Sequence, residues 1–232
     1  MKILSHRIAI YFCALLATVY LVLPFAWVVA VSFMPEREAS QGHWVPKDPT
    51  TANYSLYFQV DSRQADIGAA IARQFPRAIG NSLIIGTAVM MLNLIFGSLA
   101  AYALARIPFK GSMLLLLFYL GSRSIPGVAI MIPMYLLMRS FGLLDTHLAV
   151  ILAHTTFTLP FTIWILKGYF QTVPLDLERA ARVDGCTPLG ALLRVFLPVT
   201  TPGLVAVGIF SFIASWGEFL FALLFTTTIA SK

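Results

Sequence analysis

Four ionisable side chains lie inside long apolar runs, and they are where this chain could do chemistry. Arg123 sits near the middle of 113–138, Glu218 follows Trp216 and Gly217 within 199–226, and His147 and His154 stand seven apart in the run around 147–167. A charge at membrane depth is costly, so it faces protein or water and marks a functional position by default. The chemistry open to Arg123 and Glu218 is that of polar points on a solute path, or of ion- or proton-linked groups in a carrier. Each also has a structural alternative. Arg123 could hold a carbonyl or Glu218, and Glu218 could be a solvated residue at a helix end. His147 and His154 would share a helix face, but two histidines are too few for a metal site. With Glu218 they form no close cluster of the kind a membrane enzyme would need. Asn81, beside Ser82 at the start of another apolar run, and Trp216 join Arg123 and Glu218 as candidate pathway residues.

A second informative group lies outside the apolar runs. The segment 171–198 reads QTVPLDLERAARVDGCTPLGALLRVFLP, and its residues predict two short helices with a bend. Pro174 opens the first, because proline fits the first helical turn. Glu178 and Arg182, four apart, share a face and can pair. Gly185 suits the left-handed position that ends a helix. Thr187 and Pro188 read as the N-cap and first position of a second helix. Leu189, Leu192, Leu193 and Phe196 form its apolar side, and Pro198 is its stop. Ala180 and Ala181 make a low ridge edged by Glu178, Arg179, Arg182 and Asp184. By local features alone the segment is either a connecting loop or a docking element.

The elements that must position these groups are membrane helices. Of the 232 residues, 59% are hydrophobic and 11% charged, and the mean hydropathy is +0.83. A soluble domain carries about a quarter charged residues, so lipid is the solvent for much of this chain. The formal net charge of +6 comes mostly from Lys and Arg between the spans, where they bias orientation; it does not point to nucleic acid. Cys13 and Cys186 match neither a disulfide framework nor a C-x-x-C pair and read as plain small residues.

In chain order, 1–34 reads as a transmembrane helix, too long for the roughly 7–15-residue core of a signal peptide. Residues 35–76, with Pro35, Pro46, Pro49 and charges of both signs, read as an extracytoplasmic loop with a lateral helix over 56–73. The core is 77–232, with spans over about 78–104, 112–138, 147–170 and 199–226. Pro126, Gly127 and Pro133 predict a break or kink in 112–138, which is tolerated where a broken helix lines a cavity. Gly97 and Ala101 form a small-x-x-x-small pair that lets helices approach closely, read as packing within the subunit. Five crossings place the two termini on opposite sides. A slight Lys and Arg bias is in the expected sense for a cytoplasmic N-terminus and a cytoplasmic 171–198.

The segment 171–198 resembles the EAA loop of bacterial ABC-importer permeases. The pattern is E-A-A, three residues, G, nine residues, I, any residue, L-P. Arg179-Ala180-Ala181, Gly185, Val195 and Leu197-Pro198 fall at that spacing. Two positions depart, Arg179 for glutamate and Val195 for isoleucine, and Glu178 is one place from the expected acid. Asn81-Ser82, the run AYALAR at 101–106 and the run WGEFLFAL at 216–223, with Gly217 where asparagine is usual, are similar to the carbohydrate branch, the maltose-type second membrane subunit. The resemblance implies an all-α, polytopic transmembrane bundle of the type I ABC-importer permease kind, with a cytoplasmic helix-turn-helix coupling loop, in a bacterial inner membrane. It implies as partners a second permease subunit, an ATP-binding cassette ATPase dimer, an extracytoplasmic sugar-binding protein and membrane lipid. Glu178, Arg179, Ala180, Ala181, Asp184 and Gly185 then couple to the ATPase.

The sequence has no G-x4-G-K-[ST] phosphate loop. ATP and Mg are therefore expected on the partner, with no catalytic residue, cofactor or metal on this chain. Such subunits have six spans, so one more is expected of the whole protein. Disaccharides, oligosaccharides and glycerol-phosphate compounds all remain possible solutes. The alternative is a self-contained secondary transporter using Arg123 and Glu218. The two halves of the sequence lack the internal repeat such carriers often have.

Overall fold

The structure, a computed structural model, describes residues 2–58, 67–107 and 109–227, and every regular element among them is helical. Its contacts divide the chain into two units, Met1–Pro76 and Arg77–Lys232.

The first unit is led by α1 (Lys2–Ser32), followed by the short α2 (Glu36–Ala39) and α3 (Ala52–Phe58). None of the described residues in the apolar window of α1 is buried, as expected of a helix solvated by lipid. Its end is tied down by polar contacts. The Asn53 amide donates to the Ser32 and Met34 carbonyls, both at 2.9 Å, and the Trp27 and Trp44 rings lie 6.3 Å apart. The lateral helix expected over 56–73 overlaps α3 and the start of α4 (Ile67–Arg106); residues 59–66 lie outside those described.

The second unit takes up α4 from Arg77 and continues through α5 (Ser112–Ser122), α6 (Gly127–Ser140), α7 (His147–Thr172), α8 (Leu175–Val183), α9 (Pro188–Ala191), a π turn (Leu192–Phe196), α10 (Leu197–Val199), α11 (Thr201–Trp216) and α12 (Leu220–Phe225). α7 is its axis. Residues of α7 enter all three apolar clusters: Val150 and Ala153 meet Val89, Met138 and Phe221; Leu166 and Phe170 meet Ala101 and Phe196; Ile163 meets Leu104 and Leu116.

Between lipid-solvated helices there is little hydrophobic drive, so small residues and interhelical hydrogen bonds set the packing. Asn93 of α4 donates to Thr158 at 2.6 Å, and Thr162 meets Ser211 of α11 at 3.1 Å. Gly97 lets α4 lie against α7: a Cβ there would fall 2.5 Å from Cγ2 of Thr162, and Thr162 is fully buried. The small pair Gly97/Ala101 thus packs within the subunit. Gly97→Ala is expected to lower thermal stability in detergent by about 1–3 kcal/mol through overpacking. Gly80→Ala on the same helix, where a Cβ would meet nothing within 4 Å, is the matched control and should not destabilise.

Two expected spans are not single rods. The 112–138 run is broken between α5 and α6 by a 95° bend. Pro126 lacks an N–H and drives Ile125 out of helical geometry, so the expected kink becomes a sharp corner. The 199–226 run breaks at Gly217–Phe219 into α11 and α12. Three helices, His6–Ser32, Gln74–Arg106 and His147–Thr172, are each long and apolar enough to cross a membrane, and the count rises to five if each bent pair is one span. The second bent pair joins Pro188–Val199 to Thr201–Trp216 at 85°. Pro198 therefore does not stop its helix. The helix runs one residue further, to Val199, and the bend comes at Thr200, whose hydroxyl and amide both donate to the Phe196 carbonyl, at 2.6 and 2.9 Å.

Candidate functional site: a loop and a polar cavity

The 171–198 segment folds as two short helices at a bend. α8 starts after Pro174 and closes at Gly185, whose φ is +84°. The Gly185 amide donates to the Arg182 carbonyl at 3.1 Å and the Cys186 amide to the Ala181 carbonyl at 2.9 Å, the paired bonds of a Schellman closure. Thr187 caps the next helix, its hydroxyl accepting from the Gly190 amide at 3.1 Å. Arg179, Ala180, Asp184 and Gly185 are exposed, whereas Ala181 is buried and Glu178 is half-buried. The expected ridge of two alanines is therefore Ala180 alone, because the helical period turns Ala181 and Glu178 to the inner face.

Glu178 also takes partners other than Arg182. It accepts from the Tyr102 hydroxyl at 2.9 Å and lies 3.7 Å from Nε of Arg106. Both residues are at the end of α4, which approaches the inner face of α8 and displaces the local i,i+4 pairing. Arg179 pairs instead with Asp176 at 3.3 Å, on the exposed side.

The second feature is a cavity of about 240 Å³ lined by Arg123, Gly127, His154, Phe157, Thr158, Ala214, Glu218 and Phe221. The breaks in the helices create it: Arg123 is the C-cap that follows α5, Gly127 opens α6, and Glu218 lies between α11 and α12. Glu218 accepts from the Leu220 and Phe221 amides, both at 3.0 Å, so its carboxylate caps α12. Its Oε2 also lies 3.0 Å from Nε2 of His154, and Nδ1 of His154 meets the Ser215 hydroxyl at 2.8 Å. Glu218 is thus neither a partner of Arg123 nor simply solvated. Arg123 has no ion pair among the described residues, and its guanidinium lies 5.2 Å from the centre of the Phe161 ring.

Of the four candidate pathway residues, the cavity brings together Arg123 and Glu218. Asn81 is half-buried elsewhere on α4, and Trp216 stacks on Phe212 at 5.6 Å. His154 and Thr158 join the cavity instead. His154 was legible as a polar residue in an apolar run, but its partners were not, because Ser215 and Glu218 are more than 60 residues away. His147 does not reach the cluster, and the described residues contain no group of three His, Cys, Asp or Glu side chains able to hold a metal.

Residues 93–230, which include both the loop and the cavity, match the family described as binding-protein-dependent transport system inner membrane component. The chain belongs to that family. It is 35% identical over 212 residues to a trehalose transport system permease protein of Mycobacterium tuberculosis, covering 91% of this chain and 73% of the relative. It is 33% identical over 221 residues to a trehalose/maltose transport system permease protein of Thermococcus litoralis, covering 95% and 76%. Its fold is shared with a chain of a bacterial ABC transporter involved in import of the acidic polysaccharide alginate, at a TM-score of 0.76, 23% identity, and coverage of 98% of this chain and 77% of that one. The permease is a multi-pass membrane transport component and not an enzyme. Membership in a binding-protein-dependent family leaves the self-contained carrier reading of Arg123 and Glu218 without support.

Proposed function

We propose that the permease is one of two membrane subunits of an ATP-driven carbohydrate importer, with an extracytoplasmic binding protein delivering the solute. The loop 171–198 faces the cytoplasm with the N-terminus and docks one subunit of an ATPase dimer. Nucleotide and Mg bind on that partner. The observation that carries this reading is the loop geometry. A nine-residue helix, closed by Gly185 and joined to a second helix capped by Thr187, leaves Leu175, Arg179, Ala180 and Val183 outward. Val183 is 87% exposed and Leu175 55% exposed, so this face offers apolar surface that a docked partner would cover. The sugar assignment is supported by the trehalose and maltose relatives.

Two states of one rigid element are the requirement for coupling across such a distance. Closure of the ATPases draws the docked loops together, and the spans follow. The cavity at Arg123 and Glu218 is a polar point on the solute path, with Phe157 and Phe161 beside it.

The test is reconstitution with the companion permease, ATPase and binding protein. Uptake of labelled trehalose or maltose that requires ATP and the binding protein is the expected result; uptake by this chain alone on an ion gradient would overturn it. Arg123→Met is expected to slow uptake several-fold while barely changing thermal stability, since an exposed cation–π contact contributes only about 0.5–1 kcal/mol.

A further inference from the structure

The end of α4 makes a joint that the loop motif does not contain. Arg106 is the last residue of α4, and its side chain is only 6% exposed. Its guanidinium donates to the Phe170 carbonyl at 2.6 Å and to the Val173 carbonyl at the end of α7, where the Phe170 carbonyl also accepts from the Val173 amide at 3.3 Å. The same guanidinium lies 4.8 Å from the centre of the Phe196 ring in the π turn. One turn earlier on the same face, Tyr102 packs edge-on against Phe196 at 5.0 Å and donates to Glu178 of α8. Two side chains of one helix thus hold the end of α7, the inner face of α8 and the π turn that leads into α11.

The joint is incompletely closed. Nε of Arg106 is buried and makes no hydrogen bond, yet it lies 3.7 Å from Oε2 of Glu178, just beyond hydrogen-bond range. A buried donor without a partner is costly, and a small shift of α8 toward α4 would bring Nε and Oε2 within hydrogen-bond range.

We propose that Tyr102, Arg106 and Glu178 form the joint through which displacement of the docked loop is passed to α4 and α7, with Arg106 as its positioning residue. α8 is too short to be a stable helix by itself, and it moves as part of the bundle only while this joint holds it. The inference rests on the reading that an ATPase docks on 171–198. It adds that the inward-facing acid of the loop serves the chain's own spans and not the ATPase.

The experiment uses the complete importer in proteoliposomes, with the unaltered chain compared with Glu178→Gln, Tyr102→Phe, Arg106→Lys and Arg106→Ala. Three quantities are read: ATPase retained on purification, thermal stability, and ATP hydrolysed per sugar imported. Glu178→Gln and Arg106→Lys are expected to retain the ATPase at the unaltered ratio and to raise ATP spent per sugar by about tenfold, within the usual range of coupling between sites. Tyr102→Phe keeps the packing against Phe196 and should have a smaller effect in the same direction. Where Arg106→Ala fails to fold, the near-isosteric Glu178→Gln and Tyr102→Phe carry the test. An unchanged ATP-to-sugar ratio in both, with ATPase retained, overturns the joint alone. Failure of the unaltered chain to retain any ATPase overturns the docking reading and the joint with it.

Discussion

Gly185→Val is expected to abolish ATP-driven uptake while the chain still inserts in the membrane. Gly185 holds φ at +84°, a conformation costing an L-residue about 1–2 kcal/mol and a β-branched one more. Space is not the issue, because a Cβ at this position would meet nothing within 4 Å. The penalty falls on the backbone, and through it on the two bonds from Gly185 and Cys186 that close α8. A helix of nine residues has little stability of its own, so losing its closure frees the outward face that carries Arg179, Ala180 and Val183. Asparagine tolerates the left-handed region, so Gly185→Asn should keep most of the uptake. Immunoblots of membrane fractions report insertion, and sugar uptake in proteoliposomes reports function. Equal uptake by the valine and asparagine variants would show that the bend does not matter.

Glu218→Ala is expected to produce the largest loss of stability, about 2–4 kcal/mol. The carboxylate has three partners: the amides of Leu220 and Phe221 and Nε2 of His154. Hydrogen bonds to a charged group contribute about 1.5–3 kcal/mol, and loss of a helix cap costs about 1 kcal/mol. The loss is concentrated because α12 has only six residues and is pinned at its two ends. Glu218 holds its start. At its other end the Phe225 carbonyl accepts from the Asp145 amide at 2.7 Å, and the Asp145 carboxylate accepts from the Thr227 amide at 2.8 Å. Glu218→Gln keeps an acceptor oxygen for the cap and should lie between the two. Thermal unfolding of the detergent-solubilised importer ranks the three. Equal midpoints for alanine and glutamate would mean that the carboxylate is simply solvated.

Local features were legible in the sequence where a single residue type imposes the geometry. Gly185, Thr187 and Pro188 specify a helix end and a helix start within four residues, and the structure follows them closely. Pro126 marked the break before α6. What was not legible depends on distance along the chain or on the competing pull of tertiary contacts. Glu178 was expected to pair with Arg182, but Tyr102 and Arg106 arrive from α4 and take it. Pro198 was expected to end a helix, but the π turn before it and Thr200 after it carry the chain one residue further. Arg106 read only as the end of the run AYALAR, since nothing local indicates that its side chain folds back onto the Phe170 and Val173 carbonyls.

The central claim is that the outward face of α8 meets the ATPase on the cytoplasmic side. It is tested most directly by placing one thiol there: Val183→Cys, with Cys13 and Cys186 replaced by serine, in cells making the whole importer. The account predicts that a short bifunctional thiol reagent yields a single product joining this chain to the ATPase, in an amount that changes when a non-hydrolysable ATP analogue is added. Labelling of residue 183 by a membrane-impermeant maleimide added outside intact spheroplasts, with no such product, would contradict it.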